Sequence, residues 1–181
     1  MKTESTVKYV LRLALTLLAI TAVVAAALAG VNSITAPAIA ELTAQKTQEA
    51  IQAVLPGGGE ATEFPATDLV SKVYTSDTGY AVEVTPGGFD NTITMMVGVD
   101  KAGSVLGISI ISHTETAGLG AVAAAGTPAG EAFRNEFVGA SGSVSVTKDG
   151  GEVDSITGAT ITSRAICVGV NAALEVVAKM G

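Results

Sequence analysis

The chain has no tryptophan, one cysteine and one histidine in 181 residues, and aromatic side chains make up only 4% of it. A lone Cys167 excludes an internal disulfide and any cysteine-built zinc or iron–sulfur site carried by this chain alone. A lone His113 leaves no second imidazole for a metal, and there is no G-x-S-x-G elbow to make Ser155 or Ser163 a hydrolase nucleophile. Positive charge is also short: 10 Lys and Arg face 17 Asp and Glu, for a net charge of −7. Phosphate backbones are held by clustered Lys and Arg, so nucleic acid is excluded as a partner. What remains abundant is Ala, Val, Gly and Thr, which predict a core of small and β-branched side chains.

Charge is distributed unevenly. Lys2, Lys8 and Arg12 stand against Glu4, and no charge follows until Glu41. The apolar run Leu13 to Val31 between them is long enough, at about 1.5 Å per helical residue, to cross a hydrocarbon layer about 30 Å thick. Beyond Arg12 the chain carries seven basic and sixteen acidic residues. The positive-inside rule then leaves the N-terminus in the cytoplasm and exports the rest. A cleavable signal peptide is the competing reading, because "AAALAG" contains an A-x-A pattern. The apolar stretch outruns a usual signal core, which favours a retained anchor, and both readings export the domain.

Pro37 marks either a kink or the first turn of a second helix, and "PGGG" from Pro56 ends the helical spacing that follows. "DLVSKVYTS" and "GYAVEVTP" read as strands across a turn, and "TITMMVGVDKAGSVLGISII" as a hairpin. "AGEAFRNEFVG" reads as a short helix with Phe133 and Phe137 on one face, and "SVSVTKDG" as a further strand. Strands mostly follow one another, so the expected class is α+β, with a mostly antiparallel sheet and flanking helices. Met95 and Met96 read as core filler, and Cys167 as a small apolar core residue.

The densest chemistry lies at residues 154–163, "DSITGATITS", just before the closing helix. Hydroxyls occur at Ser155, Thr157, Thr160, Thr162 and Ser163. Capping by Thr157 or Thr160 is the bland explanation, since hydroxyl oxygens accept from the unpaired N–H groups of a helix start. Capping does not explain why Gly158 and Ala159 are pressed between two threonines. Small residues there allow close approach to the backbone, and a helix N-terminus favours phosphate. Arg164, one turn further on, reads as assisting a phosphate charge or as partnered by a carboxylate.

Asp154-Ser155-Ile156-Thr157-Gly158-Ala159-Thr160 matches D-x-x-[ST]-G-A-[ST]. In this the chain resembles the FMN-binding subunits of the Rnf and Na⁺-translocating NADH:quinone reductase complexes, and at its length it resembles the Rnf G subunit. The resemblance implies FMN joined through its phosphate to the hydroxyl of Thr160 by a flavin transferase, with Asp154, Thr157, Gly158, Ala159 and Thr162 as the surrounding cofactor-binding residues. "ETAGLG" resembles a second family segment, E-T-P-G-L-G, with Ala117 in place of proline. It implies that Glu115, Thr116, Gly118, Leu119 and Gly120 contact the flavin.

The implied layout is a cytoplasmic N-terminus at 1–12, a transmembrane helix at 13–35, a juxtamembrane helix and linker at 36–59, and an extracytoplasmic FMN-binding domain at 60–181. The implied function is electron relay within a membrane complex that couples ferredoxin–NAD oxidoreduction to Na⁺ or H⁺ movement. Its partners would be the integral membrane and redox subunits. A stand-alone exported FMN-binding or reductase module is the alternative.

Overall fold

The computed structural model describes residues 2–64 and 67–180. The outer ends of two expected spans, residues 1 and 181, lie outside them. The chain divides into two compact units, Met1–Ala44 and Gln45–Gly181.

Helix α1 (Lys2–Val54) is continuous and contains Pro37, so no second helix opens there. A proline removes one ladder bond, and an otherwise apolar helix tolerates that loss. Within the first unit the apolar side chains are exposed, among them Leu11, Leu18, Val23 and Leu28. Its hydroxyls turn inward instead. Thr21 Oγ1 donates to Leu17 O at 2.9 Å, Ser33 Oγ to Gly30 O at 2.8 Å and Thr35 Oγ1 to Val31 O at 3.0 Å. A helix with an apolar exterior and self-satisfied hydroxyls suits a lipid surrounding.

The second unit is built on a five-stranded antiparallel meander: β1 (Glu60–Thr62), β2 (Val70–Thr75), β3 (Gly79–Val84), β4 (Thr94–Asp100) and β5 (Val105–Ser112), paired in chain order. Short β1 has no strand signal in its sequence. It is exposed along its length and closes one edge, where a brief strand limits edge-to-edge pairing. The central strands are buried on both faces, so alternate residues enter different cores. Val82, Val84, Met95, Val97 and Val99 face α2 (Pro128–Asn135) and α3 (Thr160–Met180), while Ala81 and Met96 face Ala50, Ile51, Val54 and Leu55 at the end of α1. Both methionines fill core, on opposite sides of one strand.

Helix α2 is shorter than expected. Thr127 accepts from Gly130 N at its N-terminus, and the helix ends before Phe137, which packs edge-on against Phe133 with ring centroids 5.4 Å apart. Residues 143–150 are not a strand. Asn171 of α3 occupies the backbone of Val144 on both sides, accepting from its N at 2.7 Å and donating to its O at 2.8 Å. That side-chain amide replaces a strand partner. Only one bridge, Val146 to Val153, forms before a 3₁₀ turn at Thr147–Asp149. Helix α3 is long and apolar enough to span a membrane by composition, yet most of its apolar length is buried against the sheet.

Gly98 sits in β4 under the last turn of α1, where an added methyl would overlap the Val54 carbonyl and the Val54 side chain. Gly98→Ala must separate that turn from the sheet. The expected cost is about 1–3 kcal/mol, read as a lowered denaturation midpoint of the solubilised full chain.

Candidate FMN site

The stretch 154–163 folds back on itself before it becomes helix. Ala159 N donates to Ile156 O at 2.9 Å, and Gly158 takes the left-handed φ of 77° that this turn requires. Ser163 N donates to Ala159 O at 3.0 Å, which makes Ala159 the cap position and Thr160 the first helical residue. Neither Thr157 nor Thr160 is therefore the N-cap. Ser163 does the local work, accepting from Ile156 N at 3.0 Å and donating to Ala159 O at 3.1 Å, while fully buried. That leaves it no resemblance to a free nucleophile.

The E-T-x-G-L-G loop reaches the same place. Leu119 N donates to Thr116 O at 3.1 Å across a turn whose third residue, Gly118, has φ 76°. Leu119 then lies against Gly158, where a side chain would collide with its Cδ2. Glu115 is buried, 7% exposed, and both its oxygens are engaged. Oε1 accepts from Phe89 N at 2.8 Å, and Oε2 accepts from the Thr162 hydroxyl. A buried carboxylate is tolerated when its lone pairs are filled in this way.

These contacts define a cleft of about 290 Å³ lined by Phe89, Glu115, Thr116, Leu119, Gly120, Lys148, Gly158, Ala159, Thr160, Ile161 and Thr162. Asp154, Thr157 and Gly118 are exposed and do not line it; the Asp154 N–H donates to Glu136 Oε2 at 2.5 Å. Two lining residues, Lys148 and Phe89, lie outside both the 154–163 stretch and the E-T-x-G-L-G loop. Lys148, on the 3₁₀ turn, donates from Nζ to Thr160 Oγ1 at 2.9 Å, and among the described residues it is the only cation in the lining. Phe89 stands at the tip of the β3–β4 connection. Lys148 is hidden inside a stretch with strand-like alternation, and "GGFDN" offers only an aromatic residue in a turn.

Arg164 is committed to Asp149. Its Nε and NH2 donate to the two carboxylate oxygens, each at 2.6 Å, which ties the turn carrying Lys148 to the first turns of α3. The hydrogen bond and charge of Arg164 hold the Asp149 carboxyl below its ordinary value, and the hydrogen bond and charge of Asp149 push the Arg164 guanidinium up. His113 directly follows β5, and its buried Nδ1 has no hydrogen-bond partner among the described residues. Cys167 is in the core, and burial, with Asp149 adding to it, pushes its thiol up to about 11.

The cleft combines a hydroxyl and an ammonium with apolar Phe89, Leu119 and Ile161, which suits a flat ring carrying a phosphate. The FMN-binding domain family matches residues 88–175, a span that contains every lining residue. The G subunit of the Na⁺-translocating ferredoxin:NAD⁺ oxidoreductase complex of Acetobacterium woodii is 34% identical over 93% of this chain and 92% of its own length. That of the ion-translocating oxidoreductase complex of Methanosarcina acetivorans is 30% identical, covering 94% and 95% of the two chains. The chain belongs to the G-subunit family of these complexes. It is also 40% identical over 104 residues to the G subunit of the ion-translocating oxidoreductase complex of Vibrio vulnificus, covering 55% of this chain and 49% of that one.

Two expectations follow from this geometry. Ala117 is exposed at the second position of the Thr116–Leu119 turn, ahead of the positive-φ glycine, where proline is favoured. Ala117→Pro should stabilise by about 0.4–1 kcal/mol by narrowing the unfolded ensemble, seen as a raised thermal midpoint. The Asp149–Arg164 pair, with the carboxyl lowered in the fold, contributes fully above the ordinary Asp value of 3.8 and is lost as pH falls through the lower folded value. Amide protection factors at residues 147–149 should therefore drop on acidification from neutrality into that range. Arg164→Met should show the low protection already at neutral pH.

Proposed function

We propose that this chain is the flavin-carrying electron-relay subunit of an Rnf-type, ion-translocating ferredoxin–NAD oxidoreductase, with FMN held covalently by a phosphoester to Thr160. Its N-terminal helix anchors it in the cell membrane with the N-terminus in the cytoplasm, and the FMN domain lies on the extracytoplasmic side. The supporting observation is the meeting of the two motif segments at one cleft, where the hydroxyl of Thr160, at the first position of α3, is held by Lys148.

Each part of the arrangement has a chemical use. The bound flavin supplies the redox chemistry. The ammonium of Lys148 neutralises a phosphodiester at Thr160, and the N–H groups at the start of α3 add their dipole to it. Gly158 and Ala159 leave the hydroxyl approachable by a flavin transferase. Asp154 and Thr157, which are exposed, would meet that transferase rather than the cofactor. Gly118, also exposed, serves by shaping the loop. Glu115 acts by position, because both its oxygens already accept from the protein.

A stand-alone exported reductase is the weaker reading, because the two relatives matched along more than nine-tenths of their lengths are both named as complex subunits. The remaining subunits of the complex are the expected docking partners.

Intact mass of the full chain, produced with and without a flavin transferase, tests the attachment. The expected result is one added FMN ester only with the transferase, mapped to the peptide bearing Thr160 and absent in Thr160→Val. No added mass, or unchanged loading of Thr160→Val, overturns it.

A further inference from the structure

Phe89 is 64% exposed in a chain with four phenylalanines and no tryptophan. Exposed apolar side chains are ordinary when nothing fixes them. This one is fixed. Its loop is a narrow hairpin closed by Gly88 N to Asn91 O at 2.7 Å and Ile93 N to Pro86 O at 2.8 Å, with Ile93 buried beneath it. Its own N–H is held at 2.8 Å by Glu115 Oε1, a carboxylate buried in the protein. Gly88 has no room for a side chain, because any Cβ there would overlap that same oxygen and the Asn91 carbonyl. A buried carboxyl, a cramped glycine and a hairpin thus converge on holding one aromatic residue at the cleft.

The cleft lining sorts by chemistry. Lys148 and Thr160 are polar and joined to each other. Phe89, Leu119 and Ile161 are apolar and at least 42% exposed. We propose that Phe89 is the aromatic face on which the flavin ring stacks, with Leu119 beside it, once the phosphate is placed at Thr160 and Lys148. This rests on the attachment at Thr160 and adds which residue the ring contacts. Offset stacking between flat π-systems and an aromatic side chain is favourable when the side chain is already held in place. Glu115 is then a positioning residue, acting on the ring through the Phe89 backbone and on the attachment through Thr162.

Because the chain has no tryptophan, Phe89→Trp introduces a single indole, which quenches flavin emission only on contact. Full-length, detergent-solubilised chain, flavinylated by the transferase, is compared as parent, Phe89→Trp, Phe89→Ala and the control Val138→Trp, whose site is exposed and outside the cleft lining. The expected result is full flavin mass in all four, with several-fold dimming of emission in Phe89→Trp alone. Phe89→Ala should raise the iodide quenching constant of the attached flavin. A fully loaded Phe89→Trp chain as bright as the parent, together with unchanged iodide access in Phe89→Ala, overturns the ring contact and leaves attachment intact. A parent without flavin mass removes the Thr160 reading, and this one with it.

Discussion

One buried carboxylate organises the cofactor half of this domain. Glu115 accepts from the Phe89 backbone with one oxygen and from the Thr162 hydroxyl with the other, so it joins the β3–β4 connection, its own loop and the first turn of α3. None of these segments pairs with another through the sheet. Removing either donor would leave one buried carboxyl oxygen without a partner, which costs more than replacing both partners would. The cleft is therefore as well defined as the hydrogen bonds of this carboxyl. This explains how a loop with glycine at 118 and 120 and no proline at 117 keeps its place.

The sheet beneath is unusual in serving two cores at once. Its central strands are buried on both faces, with Val82, Val84, Met95 and Val97 toward α3, and Met96 with the small Ala81 and Gly98 toward the end of α1. Small side chains on that second face let a helix approach to backbone contact. The scarcity of aromatic residues suits this arrangement, since thin layers of Val, Ala and Met pack closely where large rings would force the elements apart.

Much of this is legible in the sequence, and the exceptions share a cause. The meander, the apolar N-terminal helix and the two motif segments are local patterns, written in contiguous residues. Residues 143–150 carry strand-like alternation, and nothing local reveals that Asn171, far along the chain, takes both hydrogen bonds of Val144. Pro37 reads as a kink or as the start of a second helix, and α1 runs through it without a second start. Lys148 and Phe89 lie outside both motifs and enter the cleft only through tertiary contacts. The motif around Glu115 points to a flavin contact, while its hydrogen bonds show a residue occupied in holding others. Local sequence announces which groups are special. It does not say which neighbours they satisfy.

The modest size of the cleft carries a consequence for how tightly a cofactor must be gripped. At about 290 Å³ it is small for a site that must retain a whole flavin-sized ligand by contact alone. A ligand tethered through Thr160, as proposed, would not be diluted into the surrounding compartment, and its ring would meet the wall at an effective concentration in the millimolar range or above. Weak stacking then suffices to keep the ring mostly in place. Under the proposed attachment, that weakness would let the ring reach a docked redox partner and return without the cofactor leaving the chain.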